Sequence, residues 1–492
     1  MLFNSHIFIF VFLPLCLLGW YLLNHFKFYK IATAFLIGMS LWFYGYFNPS
    51  YLYIIIGSML GNYCISFLIE KFPAKRKLFF FIGLIANICL LGYYKYYDFF
   101  VENINAVFKS SFALKHILLP LGISFFTLQQ ISYLIDRYWE SAPHYNILDY
   151  LAYVAFFPQL IAGPIVLHNE IIPQMQDHSL RKFNAESFRD GWILFIIGLA
   201  KKVLIADLFA HPVNLGFECV DNIDTPSGWI MAICYTFELY FDFSGYCDMA
   251  CGLGKMFNFE LPINFKSPYK SHSVPEYWNR WHFTLTRFFT SYIYTPLTIH
   301  GVRVKKRKLY SYLTPMVVFF VSGFWHGASW TFVLWGIAQG LATLWAQRKF
   351  FKLKKNFITW FGTFFFIMIT QVIFRSETIH NMVRVLKVMF VPSFGRFWLN
   401  LVGTFNQVTA VKKLVENTLF LQGPALYLVY GIFWLVCLLL AVFFLIGKNS
   451  NEILDAQREK GVTASFALFL GVVLAACLIS MTGVSTFLYF NF

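Results

Sequence analysis

Apolar runs recur from 7–23 to 465–488, separated by short polar connections. A helix needs about 17–25 apolar residues to cross a hydrocarbon core, and on the order of a dozen segments meet or approach that length. The pattern predicts an all-α polytopic membrane protein with roughly 11–13 transmembrane or re-entrant helices, in a single membrane domain over 1–492 with its core at about 117–375. Spans are expected at 117–138, 191–210, 357–374 and 426–446, with a hairpin over 309–347. An outer loop is expected at 98–116 and short outer or interfacial helices over 376–423. No repeat or low-complexity tract interrupts the pattern.

Polar residues inside the apolar runs change the picture. Gln129, Gln130, Ser132 and Asp136 recur at helical spacing in LPLGISFFTLQQISYLID. Such a stripe must face protein or water, because lipid offers no hydrogen-bond partner; interhelical bonding and a cavity lining both satisfy it. FFPQLIAGPIV, 156–166, carries two prolines and a glycine and is expected to be a broken or re-entrant helix. Glu238, Asp242 and Asp248 fall in one aromatic helix. Carboxylates at that depth need cationic or backbone partners, so Asp242 and Asp248, with Arg375, read as anchors of a structural polar core. The glycines Gly252 and Gly254 follow no strand and carry no nucleotide-binding signal.

Charge then sets an orientation. Only 13% of the residues are charged, against about 25% in soluble domains. The net charge of +15 sits mostly in short loops: Lys27 and Lys30; Lys71, Lys75, Arg76 and Lys77; Arg303, Lys305, Lys306, Arg307 and Lys308; Arg348, Lys349, Lys352, Lys354 and Lys355. The positive-inside rule puts these in the cytoplasm and the N-terminus outside, and explains the charge without nucleic acid. The loop 211–228, with Glu218, Asp221 and Asp224 but no Lys or Arg, is expected outside. Basic loops flank 309–347, so that hairpin goes in and returns, bending near His326. A shallow re-entrant pair is expected, because Gly323 and Gly327 permit close backbone packing. The nine cysteines lack paired spacing, so no disulfide framework or zinc site is indicated, and Cys247 and Cys251 read as core packing. The first run has no preceding Lys or Arg and no cleavage site, and is expected to be a retained span.

Two histidines carry the candidate chemistry. His282 lies in WNRWH, with Trp278, Asn279, Arg280 and Trp281, and His326 in SGFWHGASW, with Ser322, Trp325 and Trp330. A neutral imidazole can take a proton from an alcohol and return it to a leaving group, and ionisable groups at membrane depth are functional candidates. On the residues alone, structural and catalytic readings both stand. No nucleophile elbow, metal-binding helix or phosphate loop occurs, and no spacing demands that His282 ligate a metal with Glu276.

The motifs GISFFTLQQISYLID, FFPQLIAGPIV, YFDFSGYCDMACGLGKMFNF, NFKSPYKSHSVPEYWNRWHFTLTRFFTSYIYTPL, SGFWHGASWTFVLWG, IFRSET and the terminal FLYFNF together resemble a membrane-bound O-acyltransferase. The resemblance covers most of the chain and is to the bacterial branch of alginate and peptidoglycan O-acetylation membrane proteins, more distantly to the membrane protein of teichoic-acid D-alanylation. Two departures stand out: Leu167 replaces the basic residue often seen after AGPIV, and PLTIHG replaces PLGG. The resemblance implies helices around a central tunnel, with the essential histidine at His326 and the second polar-core histidine at His282. It also implies an acetyl group moved from a cytoplasmic thioester, acetyl-CoA as donor substrate, to an envelope polysaccharide, with no permanently bound cofactor and no metal. Trp325, Trp330, Trp278, Asn279, Arg280, Trp281, Ser322 and Gln129 are then expected to line the tunnel. Lys305, Lys306 and Arg307 would attract CoA phosphates or act only as topological signals. The expected partner is an extracytoplasmic O-acetyltransferase of the SGNH type, and the expected location is the bacterial cytoplasmic (inner) membrane. An ion-coupled transporter relying on Asp242 and Asp248, or a non-catalytic scaffold for envelope enzymes, are the alternatives.

Overall fold

The computed structural model describes residues 1–347, 354–407, 412, 424–481 and 487–488, and no strand occurs among them. Arg348, Lys349, Lys352, most of 408–423 and the ending beyond Leu488 lie outside the described residues. Among those described, five helical stretches are long and apolar enough to cross a membrane: Phe8–His25, Tyr51–Lys71, Pro73–Phe108, Phe357–Arg375 and Ala425–Ile446.

The N-terminal helices are α1 (Leu13–His25), α2 (Tyr29–Gly45), α3 (Tyr51–Lys71) and α4 (Arg76–Leu91), the last running through a π-helical turn, Gly92–Tyr96, into α5 (Tyr97–Phe108). The expected loop at 98–116 is thus helical over its first half, while 109–120 is irregular. The expected span 117–138 is shortened to α6 (Ile123–Tyr138), which starts after Gly122 in the left-handed region, φ 71°. Pro120 and this glycine break the helical register that the apolar run alone would extend. On α6, Gln130 takes hydrogen bonds to both neighbours: its Nε2 donates to Ser58 Oγ (3.0 Å) and its Oε1 accepts from Tyr150 (3.1 Å).

Next come α7 (Ile147–Ala155), α8 (Phe157–Leu160) and α9 (His168–Gln176), with irregular backbone around Gly163 and Pro164. The break predicted from the prolines is present. Beyond it, α10 (Ala185–Ala200), a π-helical stretch Lys201–Ala206 and α11 (Asp207–Glu218) form one continuous helical path, so helix persists well past 210 into the expected loop 211–228.

The central helix is α12 (Thr225–Met256), 32 residues, or about 48 Å at 1.5 Å per residue. It packs on α10 along a glycine seam: a Cβ on Gly191 would meet the Gly252 carbonyl at 2.6 Å, and one on Gly245 the Gly198 carbonyl at 2.7 Å. Two of the three carboxylates of α12, Asp242 and Asp248, find the partners that burial demands. Lys202 bonds Asp242 (2.6 Å) and Asp207 (2.8 Å), and Lys201 bonds Asp248 (2.6 Å), which also accepts from Ser450. Near the chain's end, the Leu488 backbone N–H donates to Asp242 (2.9 Å).

The remaining helices are α13 (Val274–Trp278), α14 (Phe283–Phe289), α15 (Thr295–Arg303), α16 (Arg307–His326), α17 (Trp330–Gln347), α18 (Phe357–Arg375), α19 (Ile379–Phe390), α20 (Phe397–Gly403), α21 (Pro424–Ile446), α22 (Ser450–Lys460) and α23 (Ala464–Ser480). The expected last span, 465–488, therefore stops as a helix at Ser480. The hairpin is built of two long helices. Its helices have 20 and 18 residues, about 30 and 27 Å, so each is long enough for a full crossing. The glycines bring the two helices together and do not shorten them: a Cβ on Gly323 would collide with the Phe332 carbonyl, and one on Gly336 with that of Phe319.

Ion pairs cluster at the end of the bundle that carries Lys355. There Arg137 bonds Glu70 (2.8 Å), Asp136 accepts from His168 (3.0 Å) and Tyr292 (2.7 Å), Arg287 pairs with Glu170, and Glu276 pairs with Arg280 (3.0 Å) and Lys355 (3.5 Å). At the opposite end Thr225 bonds the Val388 carbonyl (2.7 Å) and Asp98 accepts from the Lys115 backbone (2.7 Å).

Candidate active site

His326 is the last residue of α16, at the end of the hairpin away from the basic loops, and is nevertheless only 4% exposed. Neighbouring elements cover it: its ring lies 5.0 Å from that of Trp325, 5.3 Å from Trp335 and 5.2 Å from Phe374.

His282 reaches the same place from another direction. It caps α14 in the left-handed region, φ 43°, a conformation that is costly for a residue other than glycine. Its Nδ1 bonds Asn264 Oδ1 at 3.1 Å, and that oxygen also accepts from the backbone N–H (3.2 Å) and hydroxyl (2.9 Å) of Thr284. Because an amide oxygen only accepts, the proton is assigned to Nδ1 and the lone pair to Nε2. The His282 ring stands edge-on to Phe243 (4.7 Å) and lies 6.4 Å from both Phe125 and Trp325. Trp325 therefore touches both histidines.

A cleft reaches His326. Its lining includes Lys95, Leu121, Ser124, Phe125, Trp325 and His326, and its empty space, open mouth included, is about 410 Å³. Its walls are the π-helical turn after α4, the segment 119–122 with the first turn of α6, and the last turn of α16, so it lies toward the end of the hairpin away from the basic loops. His282 is not among its lining residues and sits behind Phe125 and Trp325.

Of the residues expected to line a tunnel, Trp325 lines this cleft and the others do not. Trp330 is 51% exposed, its ring against Phe99 (5.8 Å) and its Nε1 donating to Asn103 (3.0 Å). Trp278 is core, donating to Gln339 (3.2 Å) and packed on Trp335, and Trp281 stacks on Tyr277. Asn279 is exposed, and Arg280 pairs with Glu276 at the basic end. Ser322 is buried on α16 and Gln129 on α6, where the Gln129 carbonyl accepts from Tyr153 (3.2 Å). Arg375 bonds Asn214 (3.2 Å) and lies over the Phe217 ring. No group of three or more metal-ligating side chains occurs among the described residues.

Sequence reasoning missed Lys95, Ser124 and Asn264. Lys95 had a signal, as a lone cation in the aromatic run GYYKYYDFF. Asn264 had none, because its role depends on a chain reversal that only the fold supplies.

The arrangement can do acid–base chemistry: an imidazole beside a cleft, walled by rings that exclude water, with a second imidazole held in one tautomer behind it. Comparison with known proteins gives this chemistry a class. A family model described as MBOAT, membrane-bound O-acyltransferase family, matches residues 140–376. A peptidoglycan O-acetyltransferase of Helicobacter pylori is 38% identical over 537 aligned residues, covering 100% of this chain and 98% of that protein. The chain belongs to the membrane-bound O-acyltransferase family. It is thus an acyl-transferring enzyme of the membrane, with helices and no strand among the described residues. A probable alginate O-acetylase of Pseudomonas syringae is 38% identical over 413 residues, 81% of this chain and 77% of that protein. A teichoic acid D-alanyltransferase of Streptococcus thermophilus is 26% identical over 46% of this chain and 58% of that protein. The family match spans α7 to α18 and so includes both histidines, whereas Lys95 and Phe125 come from outside it.

Proposed function

We propose that this O-acyltransferase moves an acetyl group from a cytoplasmic thioester, acetyl-CoA, to a hydroxyl presented at the opposite face, for O-acetylation of peptidoglycan or a related envelope polysaccharide. The end-to-end similarity to a peptidoglycan O-acetyltransferase carries the acceptor class. His326, at the inner end of the cleft, is the general base. It takes the acceptor hydroxyl's proton as that oxygen forms a bond to the acyl carbon; the C–S bond breaks and the proton passes to the leaving thiolate. His282, with Nε2 as its acceptor, orders the thioester side of the reaction. The basic end faces the cytoplasm of a bacterial inner membrane and the N-terminus faces outward. An extracytoplasmic SGNH-type O-acetyltransferase receives the group and passes it to the polysaccharide. The transporter reading is disfavoured because Asp242 and Asp248 are tied to lysines.

Vesicles carrying the protein and its SGNH-type partner, supplied with labelled acetyl-CoA, test the reading. Wild type is expected to turn over donor, and His326→Ala to lose at least about a hundredfold while accumulating in the membrane at the wild-type level. An active His326→Ala enzyme would rule out the base role, and wild-type vesicles that leave acetyl-CoA untouched would rule out the donor.

A further inference from the structure

A helix leaves its last four carbonyls without intrahelical partners, and at α16 these belong to Gly323, Phe324, Trp325 and His326. The Gly323 carbonyl faces the Gly327 N–H at 3.4 Å. The other three are met by two consecutive side chains of the π-helical turn Gly92–Tyr96. Tyr96 donates to the Phe324 carbonyl at 2.6 Å, with its ring stacked on Phe324 at 4.4 Å. Lys95 Nζ donates to the Trp325 carbonyl at 2.6 Å and the His326 carbonyl at 2.9 Å, and lies 3.5 Å from Ser124 Oγ.

We propose that Lys95 is a positioning residue for acyl transfer, its ammonium clamping the last turn of α16 so that the His326 imidazole is held at the inner end of the cleft. The inference rests on the reading of His326 as base. Tyr96 shows that a neutral hydroxyl suffices to cap a carbonyl of this turn. An ammonium costs far more to desolvate than a hydroxyl, yet it stands where the imidazole-bearing residue needs holding. It complements the negative end of the helix dipole, binds the His326 backbone directly and itself lines the cleft. π-helical turns recur at functional sites, and this one places a cation and a phenol on successive carbonyls.

The test uses the full-length enzyme in vesicles, with kcat and donor KM measured for Lys95→Met, Lys95→Arg, Tyr96→Phe and His326→Ala. A displacement of about 1 Å at a reacting group can cost about a hundredfold in rate. Lys95→Met is therefore expected to lose kcat on that scale with donor KM unchanged, Lys95→Arg to recover at least a tenth of wild-type kcat, and Tyr96→Phe to stay within about threefold. A Lys95→Cys enzyme alkylated with bromoethylamine, which restores an ammonium, is expected to regain activity, whereas a neutral alkyl group is not; this arm holds even where Lys95→Met fails to accumulate. The positioning role is overturned if Lys95→Met keeps wild-type kcat, if Tyr96→Phe loses as much as Lys95→Met, or if the neutral adduct restores activity equally. An active His326→Ala enzyme would instead overturn the underlying base assignment.

Discussion

Asn264 is the hinge of the site at the residue scale. One amide oxygen receives His282 Nδ1, the Thr284 N–H and the Thr284 hydroxyl, while Asn264 Nδ2 lies 3.2 Å from Cys247 Sγ. Asn264→Ala leaves buried donors unsatisfied and frees the imidazole to change tautomer, at a cost of about 1–3 kcal/mol. A lowered unfolding temperature in detergent together with reduced acetyl turnover is the expected result, and an unchanged Asn264→Ala enzyme would remove His282 from the mechanism. The two histidines themselves were legible, since a polar ring in an apolar, Trp-rich segment gains nothing as packing. What holds them was not: Asn264 meets the His282 imidazole and Lys95 the His326 backbone carbonyl only through folding, and neither belongs to a spacing pattern. Adjacency to His326 in sequence likewise does not say which way the Trp330 ring turns after the helix ends; it is half exposed and rests on Phe99.

Among the elements, apolar length and proline position predicted helices well in kind and less well in extent. Residues 117–121 are apolar but precede a left-handed glycine, and residues 211–218 continue a helix that their polarity seemed to end. The close packing expected of the hairpin glycines is present, a Cβ on Gly323 or Gly336 meeting the backbone of the facing helix. The buried carboxylates of α12 were read correctly as needing partners, but the lysines that answer them lie in a π-helical stretch of another element. Lys202→Met strands Asp242, both side chains being 3% exposed, and is expected to destabilise the protein by about 3–5 kcal/mol. Thermal unfolding in detergent measures it; pairing Lys202→Met with Asp242→Leu is expected to recover much of the loss, and a fully stable single mutant would contradict the ion pair.

Taken whole, the molecule is polarised. The basic residues before α16 and after α17 flank the open end of that hairpin, and the cleft leading to His326 lies at its closed end. With the native cysteines replaced, Lys306→Cys is expected to react with an impermeant maleimide only once the inner face is opened, and Lys115→Cys to react on intact spheroplasts. The reverse pattern would invert the proposed direction of transfer.

Composition and hydrophobic period were enough to establish helices in a bilayer, because lipid cannot satisfy an open backbone and only long apolar helices escape that penalty. Motif content also pointed to the enzyme family, and charge placement to a direction across the membrane. Tertiary structure alone decided the site, because burial of His326, the tautomer of His282 and the clamp from Lys95 all arise where remote segments meet. Hydrophobic pattern specifies which face of a helix leaves water or lipid; it does not specify which donor, hundreds of residues away, will answer an orphaned carbonyl.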